Sequence, residues 1–167
     1  MKTETGISEV NRKAIATELA KILADESVLR LKTRNAHWNV EGGDFYEKHM
    51  FFDVQSMELD KIIDTVAERM RSIGHYAPAS MKTYLGLTHL SEQIVELNDS
   101  QGYIKEILLD HESTIKLLRS QIDTFNREFH DSGTSDFITG LMEAHEKMAW
   151  ILRSHVVLKD SAINGYE

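Results

Sequence analysis

The chain contains no cysteine and only one proline, Pro78. The first absence excludes disulfides, thiolate metal sites and cysteine nucleophiles together, and it suits a reducing compartment. The N-terminal stretch MKTETGISEV has no apolar core of the kind a secretion signal carries, so a cytoplasmic location is expected. No apolar run approaches the ~18 residues a membrane span needs, so no membrane partner is expected. Positive charge is also in short supply. Lys and Arg number 19 against 27 Asp and Glu, a net charge of −8, so the surface as a whole should not attract nucleic acid.

Scarce proline and only nine glycines in 167 residues leave long stretches free of helix breakers. Ile7, Val10, Ala14, Ile15, Leu19, Ile22, Leu23 and Leu29 follow three-four spacing, which predicts a helix over roughly 8–37. Gly42-Gly43 ends it. Asp44 reads as the N-cap of a second helix reaching Ser72, with Glu47 as its capping-box partner. A crossover over 75–98 follows, with a short helix near MKTYLGL. Asp99 or Ser100 starts a third helix that ends near Arg127, and Thr134 or Ser135 starts a fourth that reaches about Leu158. Helices this long, ~40 Å each, are stable only when packed together. The expectation is one all-α domain over 1–167, a four-helix bundle with a long crossover containing a short helix, as in ferritin-like folds. Short tails are expected at about 1–7 and 160–167.

The stretch HWNVEGGDFYEKHMFFD, residues 37–53, holds two histidines and four carboxylates around the Gly-Gly turn. On the second helix His49, Asp53, Asp60 and Asp64 fall within an arc of about 60°, with Glu68 about 40° further round. Phe45, Phe52, Leu59 and Ile63 form the adjacent arc, expected to be core. Carboxylates bordering a core need a cation beside them, either a metal or a salt-bridging Arg or Lys. His49 and Asp64 are ~22 Å apart along one helix and cannot share an ion within one chain. Two antiparallel copies of the helix related by a two-fold near residue 58 would set His49 against Glu68 and Asp53 against Asp64. Imidazole with several carboxylates and no sulfur suits iron, manganese or zinc. None of the eight histidines has Glu three residues before it, so the Glu-x-x-His site of intra-bundle di-iron proteins is missing.

These residues resemble the signature of the Dps family, the mini-ferritins named for DNA binding in starved cells. The pattern is His37-Trp38-Asn39, His49 twelve residues on, Asp53 four after that, then Asp64 and Glu68 in Ala67-Glu68-Arg69. Trp150, Asp131 and Asp136 extend the likeness over most of the chain. The resemblance implies a ferroxidase with His37, His49 and Asp53 from one subunit and Asp64 and Glu68 from its two-fold mate. It implies iron as the metal, with two ions at each intersubunit site as one arrangement, and hydrogen peroxide or dioxygen as oxidant. It also implies a hollow dodecamer that stores ferric mineral and protects against oxidative stress. Asp131 and Asp136 become candidates for iron-conducting pores, although helix capping explains them equally well. Asp60 lies outside the family pattern and reads as solvated or salt-bridged. Trp38 reads first as an interface aromatic and second as a trap for stray oxidising equivalents. The remaining histidines, His75, His89, His111, His130, His145 and His155, read as structural or exposed. Met50, Met57, Met70, Met142 and Met148 read as helix-packing residues.

The sequence departs from DNA-binding members of that family, which carry lysine-rich tails. Lys2, Arg12 and Lys13 are offset by Glu4 and Glu9, and no basic residue follows Lys159. Direct DNA binding is therefore expected to be weak, leaving divalent-cation bridging as its route. Two other readings stand beside the iron store: a nucleoid-protecting DNA-binding protein with secondary iron chemistry, and a shell with a weakened site serving as a scaffold or using another metal.

Overall fold

The structure, a computed structural model, describes residues 3–93 and 99–156. Among the described residues there are five α-helices: α1 (Glu9–Asn39), α2 (Phe45–Ser72), α3 (Met81–Leu87), α4 (Ser100–Asp123) and α5 (Ser132–Ser154). A π-helical turn, Thr124–Glu128, extends α4. Among the described residues there is no strand, only one isolated parallel bridge between Glu41 and Asp99.

That bridge explains the topology. It places the start of α4 beside the end of α1, so the crossover carries the chain back along the bundle, and α3 packs on α1 on the way. The most extensive contacts are within the hairpins α1–α2 and α4–α5. The core runs between them, with Ile15, Leu19 and Leu29 of α1, Phe52, Leu59 and Val66 of α2, Ile104 and Leu118 of α4 and Ile138 and Leu152 of α5 all fully buried. Each such side chain contributes about 1.5–3 kcal/mol by leaving water.

Helix starts are set by short polar side chains that take up unpaired backbone N–H groups. Ser8 accepts from Asn11 N, Ser80 from Thr83 N and Asp99 from Gly102 N. The start of α5 differs from the expectation. Asp131 is its cap, accepting from Thr134 N at 3.1 Å, and Thr134 is itself fully buried. Asp44 occupies the N-cap position of α2 but makes no capping bond. Its carboxylate instead accepts from Ser100 Oγ at 2.8 Å, tying the α1–α2 turn to α4. The predicted capping box is also absent, because Glu47 pairs with Lys48 at 2.7 Å. That contact holds the Glu47 carboxyl below its ordinary range.

Helix α4 continues to the region expected, but the turn that extends it widens to the π pattern, with Phe129 N bonded to Thr124 O. In that turn Phe125 and Phe129 pack edge to face, 5.7 Å apart. Helix α5 ends at Ser154, and the expected end near Leu158 lies outside the described residues.

Candidate metal centre

Gly42, at φ 124°, takes a backbone conformation that favours glycine and turns the chain from α1 into α2. The reversal sets the last turn of α1 against the first turns of α2 and brings His37 onto His49. The rings stack with centroids 3.9 Å apart and planes 22° from parallel. Each ring is tied to the other residue's backbone. His37 Nδ1 donates to the His49 carbonyl at 2.8 Å, and His49 Nδ1 donates to the His37 carbonyl at 2.7 Å. A carbonyl oxygen only accepts, so Nδ1 carries the proton in both rings. In the neutral imidazoles both Nε2 atoms then hold a free lone pair, the form in which histidine binds a metal.

Asp53 follows His49 by one turn, and its Oδ1 lies 3.8 Å from His37 Nε2. The same oxygen accepts from Arg34 Nη1 at 2.5 Å. Arg34 stands one turn before His37 on α1, and its guanidinium lies 6.0 Å from the Trp38 ring. Sequence reading passed over Arg34, although its position three residues before His37 puts both on one helix face. Trp38 is 65% exposed. Phe45, expected in the core, is also exposed among the described residues and stacks on His49 at 5.3 Å. Phe52 and Leu59 of the same predicted arc are fully buried, and Ile63 packs against the core from its edge.

Asp64 and Glu68 are exposed further along α2, about 16 and 22 Å from Asp53 by helix rise. Among the described residues of one chain, no three His, Asp or Glu side chains converge as a metal-holding group. The fold stacks His37 on His49 and sets Asp53 3.8 Å from His37 Nε2, and it leaves Asp64 and Glu68 apart. Met50 and Met57, expected to pack, are 45% and 47% exposed, whereas Met70, Met142 and Met148 are buried. Projected down α2, Asp53, Asp64, Met57, Met50 and Glu68 share an arc of about 60°. Acidic and apolar side chains thus lie together on a face uncovered in the single chain.

The ferritin-like domain family matches residues 16–160. An uncharacterized low temperature-induced protein of Nostoc sp. is 38% identical over 160 residues, covering 96% of this chain and 89% of the relative. DNA protection during starvation protein 2 of Bacillus anthracis is 33% identical, over 85% of this chain and 96% of the relative. The X-ray structure of Dps from Thermosynechococcus elongatus superimposes with a TM-score of 0.82 at 25% identity, covering 92% of this chain and 97% of that one. The chain belongs to the Dps family of ferritin-like proteins.

In this Dps chain Asp60 is salt-bridged, with Arg30 Nε at 2.8 Å and Nη2 at 3.1 Å. The Asp131 carboxylate is already engaged within the chain. It is 6% exposed, caps α5, accepts from Arg69 Nη2 at 3.1 Å and takes a second bond from the Thr134 hydroxyl. Burial alone would raise its carboxyl, but the Thr134 hydrogen bonds and the Arg69 charge outweigh burial and hold it below the ordinary range. Asp136 stays exposed just past the first turn of α5.

A second histidine pair lies in the bundle core. His145 Nε2 donates to Glu26 Oε1 at 2.8 Å, and the Nδ1 atoms of His145 and His111 are 2.9 Å apart. All three residues are fully buried. Burial first, and the neighbouring His145 second, pull the His111 pKa well below 6.5. These residues come from α1, α4 and α5 and share no spacing along the chain. Only their burial on apolar faces could have suggested the group beforehand.

Proposed function

We propose that this Dps chain takes Fe(II) as substrate at a site completed by a second copy, oxidises it, and stores the ferric product in a hollow homo-oligomeric shell. His37, His49 and Asp53 of one subunit and Asp64 and Glu68 of its two-fold mate are the proposed ligands. The observation that carries this reading is the reciprocal pair of Nδ1 bonds, which leaves both Nε2 lone pairs free, that of His37 3.8 Å from Asp53. Neutral nitrogen donors and hard carboxylate oxygens suit Fe(II), and the additional carboxylates favour the higher charge of Fe(III). The exposed face of α2 supports the second copy. An antiparallel partner about residue 58 would bring the missing acids and cover Met50 and Met57 at once. Repeating such dimers gives the dodecamer implied by the family resemblance.

Two Fe(II) ions at one site each give up one electron, and hydrogen peroxide takes both electrons with two protons to form two waters. Dioxygen is the alternative oxidant. Pairing the electrons avoids the one-electron cleavage of peroxide that releases hydroxyl radical, so the reaction protects against oxidative stress. Arg34 must yield Asp53 to the incoming ion. Direct DNA binding is weak in this reading, because each subunit brings a charge of −8.

The test uses two inactive variants, His37→Ala and Asp64→Ala. Subunits of the two are dissociated, mixed and reassembled, and Fe(II) oxidation with peroxide is followed. Each mixed dimer regains one intact site and one doubly damaged site, so activity returns toward half of wild type per mixed dimer. A mixture that stays as inactive as its parents rules out shared sites.

A further inference from the structure

Away from the iron ligands, α1, the crossover and α4 bring together Asp25, His89 and Ser113. His89 Nδ1 donates to Asp25 Oδ2 at 2.8 Å, and Ser113 Oγ lies 3.0 Å from His89 Nε2. Asp25 is 1% exposed, and its other oxygen accepts from Thr88 Oγ1 at 2.7 Å and from the His89 backbone N–H at 2.9 Å. These bonds hold the carboxylate in one orientation. A carboxylate accepts, so the proton of neutral His89 is on Nδ1 and the lone pair is on Nε2. The Ser113 hydroxyl then donates to that lone pair. Helical serines and threonines commonly bond back to their own helix, as Ser27 does to Leu23 O and Thr33 to Leu29 O. Ser113 turns to His89 instead. The His89 side chain is 36% exposed and Ser113 is half-buried, so a small molecule can reach the hydroxyl.

We infer that Ser113 is an activated nucleophile, with His89 as its general base and Asp25 as the positioning residue, and that it accepts acyl groups from activated esters. Ser113 Oγ attacks the ester carbonyl while His89 Nε2 takes the hydroxyl proton. The ester C–O bond breaks, and the same proton goes to the departing alkoxide or phenolate. Water then cleaves the acyl-serine by the reverse use of His89, releasing the carboxylic acid. The backbone N–H groups of α4 are spent within the helix, so no pair of them stands ready for the developing oxyanion. That lack costs on the order of 10²–10³ in rate, which restricts the reaction to aryl esters and similarly good leaving groups and excludes amides.

The full-length assembled protein is treated with 4-nitrophenyl acetate and, separately, with diisopropyl fluorophosphate. Intact mass and peptide mapping locate any adduct. One adduct per chain, on Ser113, is expected. Ser113→Ala should lose it without a change in thermal unfolding, and His89→Gln should slow it by about 100-fold. Asp25→Asn supplies a readout independent of reactivity. The amide oxygen must serve Thr88 and the His89 N–H, which turns the NH₂ toward Nδ1 and forces the imidazole proton onto Nε2. The ¹⁵N shifts of the His89 ring should report that tautomer change, and labelling should be lost with it. Adducts confined to lysines, or equal labelling in Ser113→Ala, would overturn the assignment and leave the three residues as a clamp on the crossover.

Discussion

Two places in the molecule join a pair of histidines to a carboxylate, and they spend the same atoms differently. At the α1–α2 turn, His37 and His49 give their Nδ1 protons to backbone carbonyls and keep both Nε2 lone pairs free, that of His37 near Asp53. In the core, His145 turns Nε2 to Glu26 and Nδ1 to His111, so its nitrogens satisfy other side chains. Location explains the contrast. A partly exposed pair can leave acceptors to water or to an arriving ion. A fully buried group suffers a large desolvation cost for each unpaired polar atom, so it is driven to internal bonding. Even so, Glu26 Oε2 and His111 Nε2 have no partner among the described residues. The core group is the costlier of the two arrangements.

The largest expected effect separates the pairs by function. His37→Ala should lower the rate of Fe(II) oxidation by peroxide roughly 100-fold or more, as loss of a ligand does. His111→Gln should leave that rate within about two-fold, because nothing in the core touches the proposed iron site. Equal losses in a stopped-flow assay would erase the distinction.

Stability should show the reverse order. Glu26→Ala strands the His145 donor in the core and should cost about 3 kcal/mol, read as a drop in the urea midpoint. Asp53→Ala removes a carboxylate that is 29% exposed, and its effect should stay within about 1 kcal/mol.

Acid sharpens the same contrast. His111 is held neutral when folded, with its pKa well below 6.5, while the unfolded chain takes up a proton near that value. Below pH 6.5 the unfolded state therefore binds more protons than the folded state. The contribution is fully present above pH 6.5 and is lost as pH falls, by up to about 1.4 kcal/mol per pH unit for this one group. His111→Gln should flatten the slope of unfolding free energy between pH 6.5 and 5. A slope unchanged in the variant would mean that another group is responsible.

The smallest effect concerns Arg34. Its guanidinium bonds the Asp53 oxygen nearest His37, so Arg34→Ala should tighten binding of a redox-inert probe such as Zn²⁺ by about three- to ten-fold. Weaker binding in calorimetry would make Arg34 a positioning residue for Asp53 rather than its competitor.

Much of the architecture was legible because its signals are local. Sparse proline and glycine, with three-four apolar spacing, marked the long helices, and Gly42-Gly43 marked the turn that pairs His37 with His49. Misreadings arose where a distant partner intervened. Asp44 looks like a cap from its neighbours, yet Ser100 takes its carboxylate. Asp131 was open to a capping or a pore role, and the structure makes it the cap of α5, with Arg69 and Thr134 on its carboxylate. Phe45, Met50 and Met57 fit a helical core pattern, but none of the described elements covers them. Arg34 was overlooked because a cation beside an acid is visible only once the two helices are paired.

From the sequence alone came the helical class and the turn, because helix periodicity and chain reversal depend on residues within a few turns of one another, while the five proposed ligands came from the resemblance of the motif to the Dps signature. Tertiary structure alone decided which imidazole nitrogen carries each proton, which acids are already taken, and which histidines meet in the core. Those outcomes depend on hydrogen bonds and burial between helices far apart in the chain, and no spacing rule encodes them.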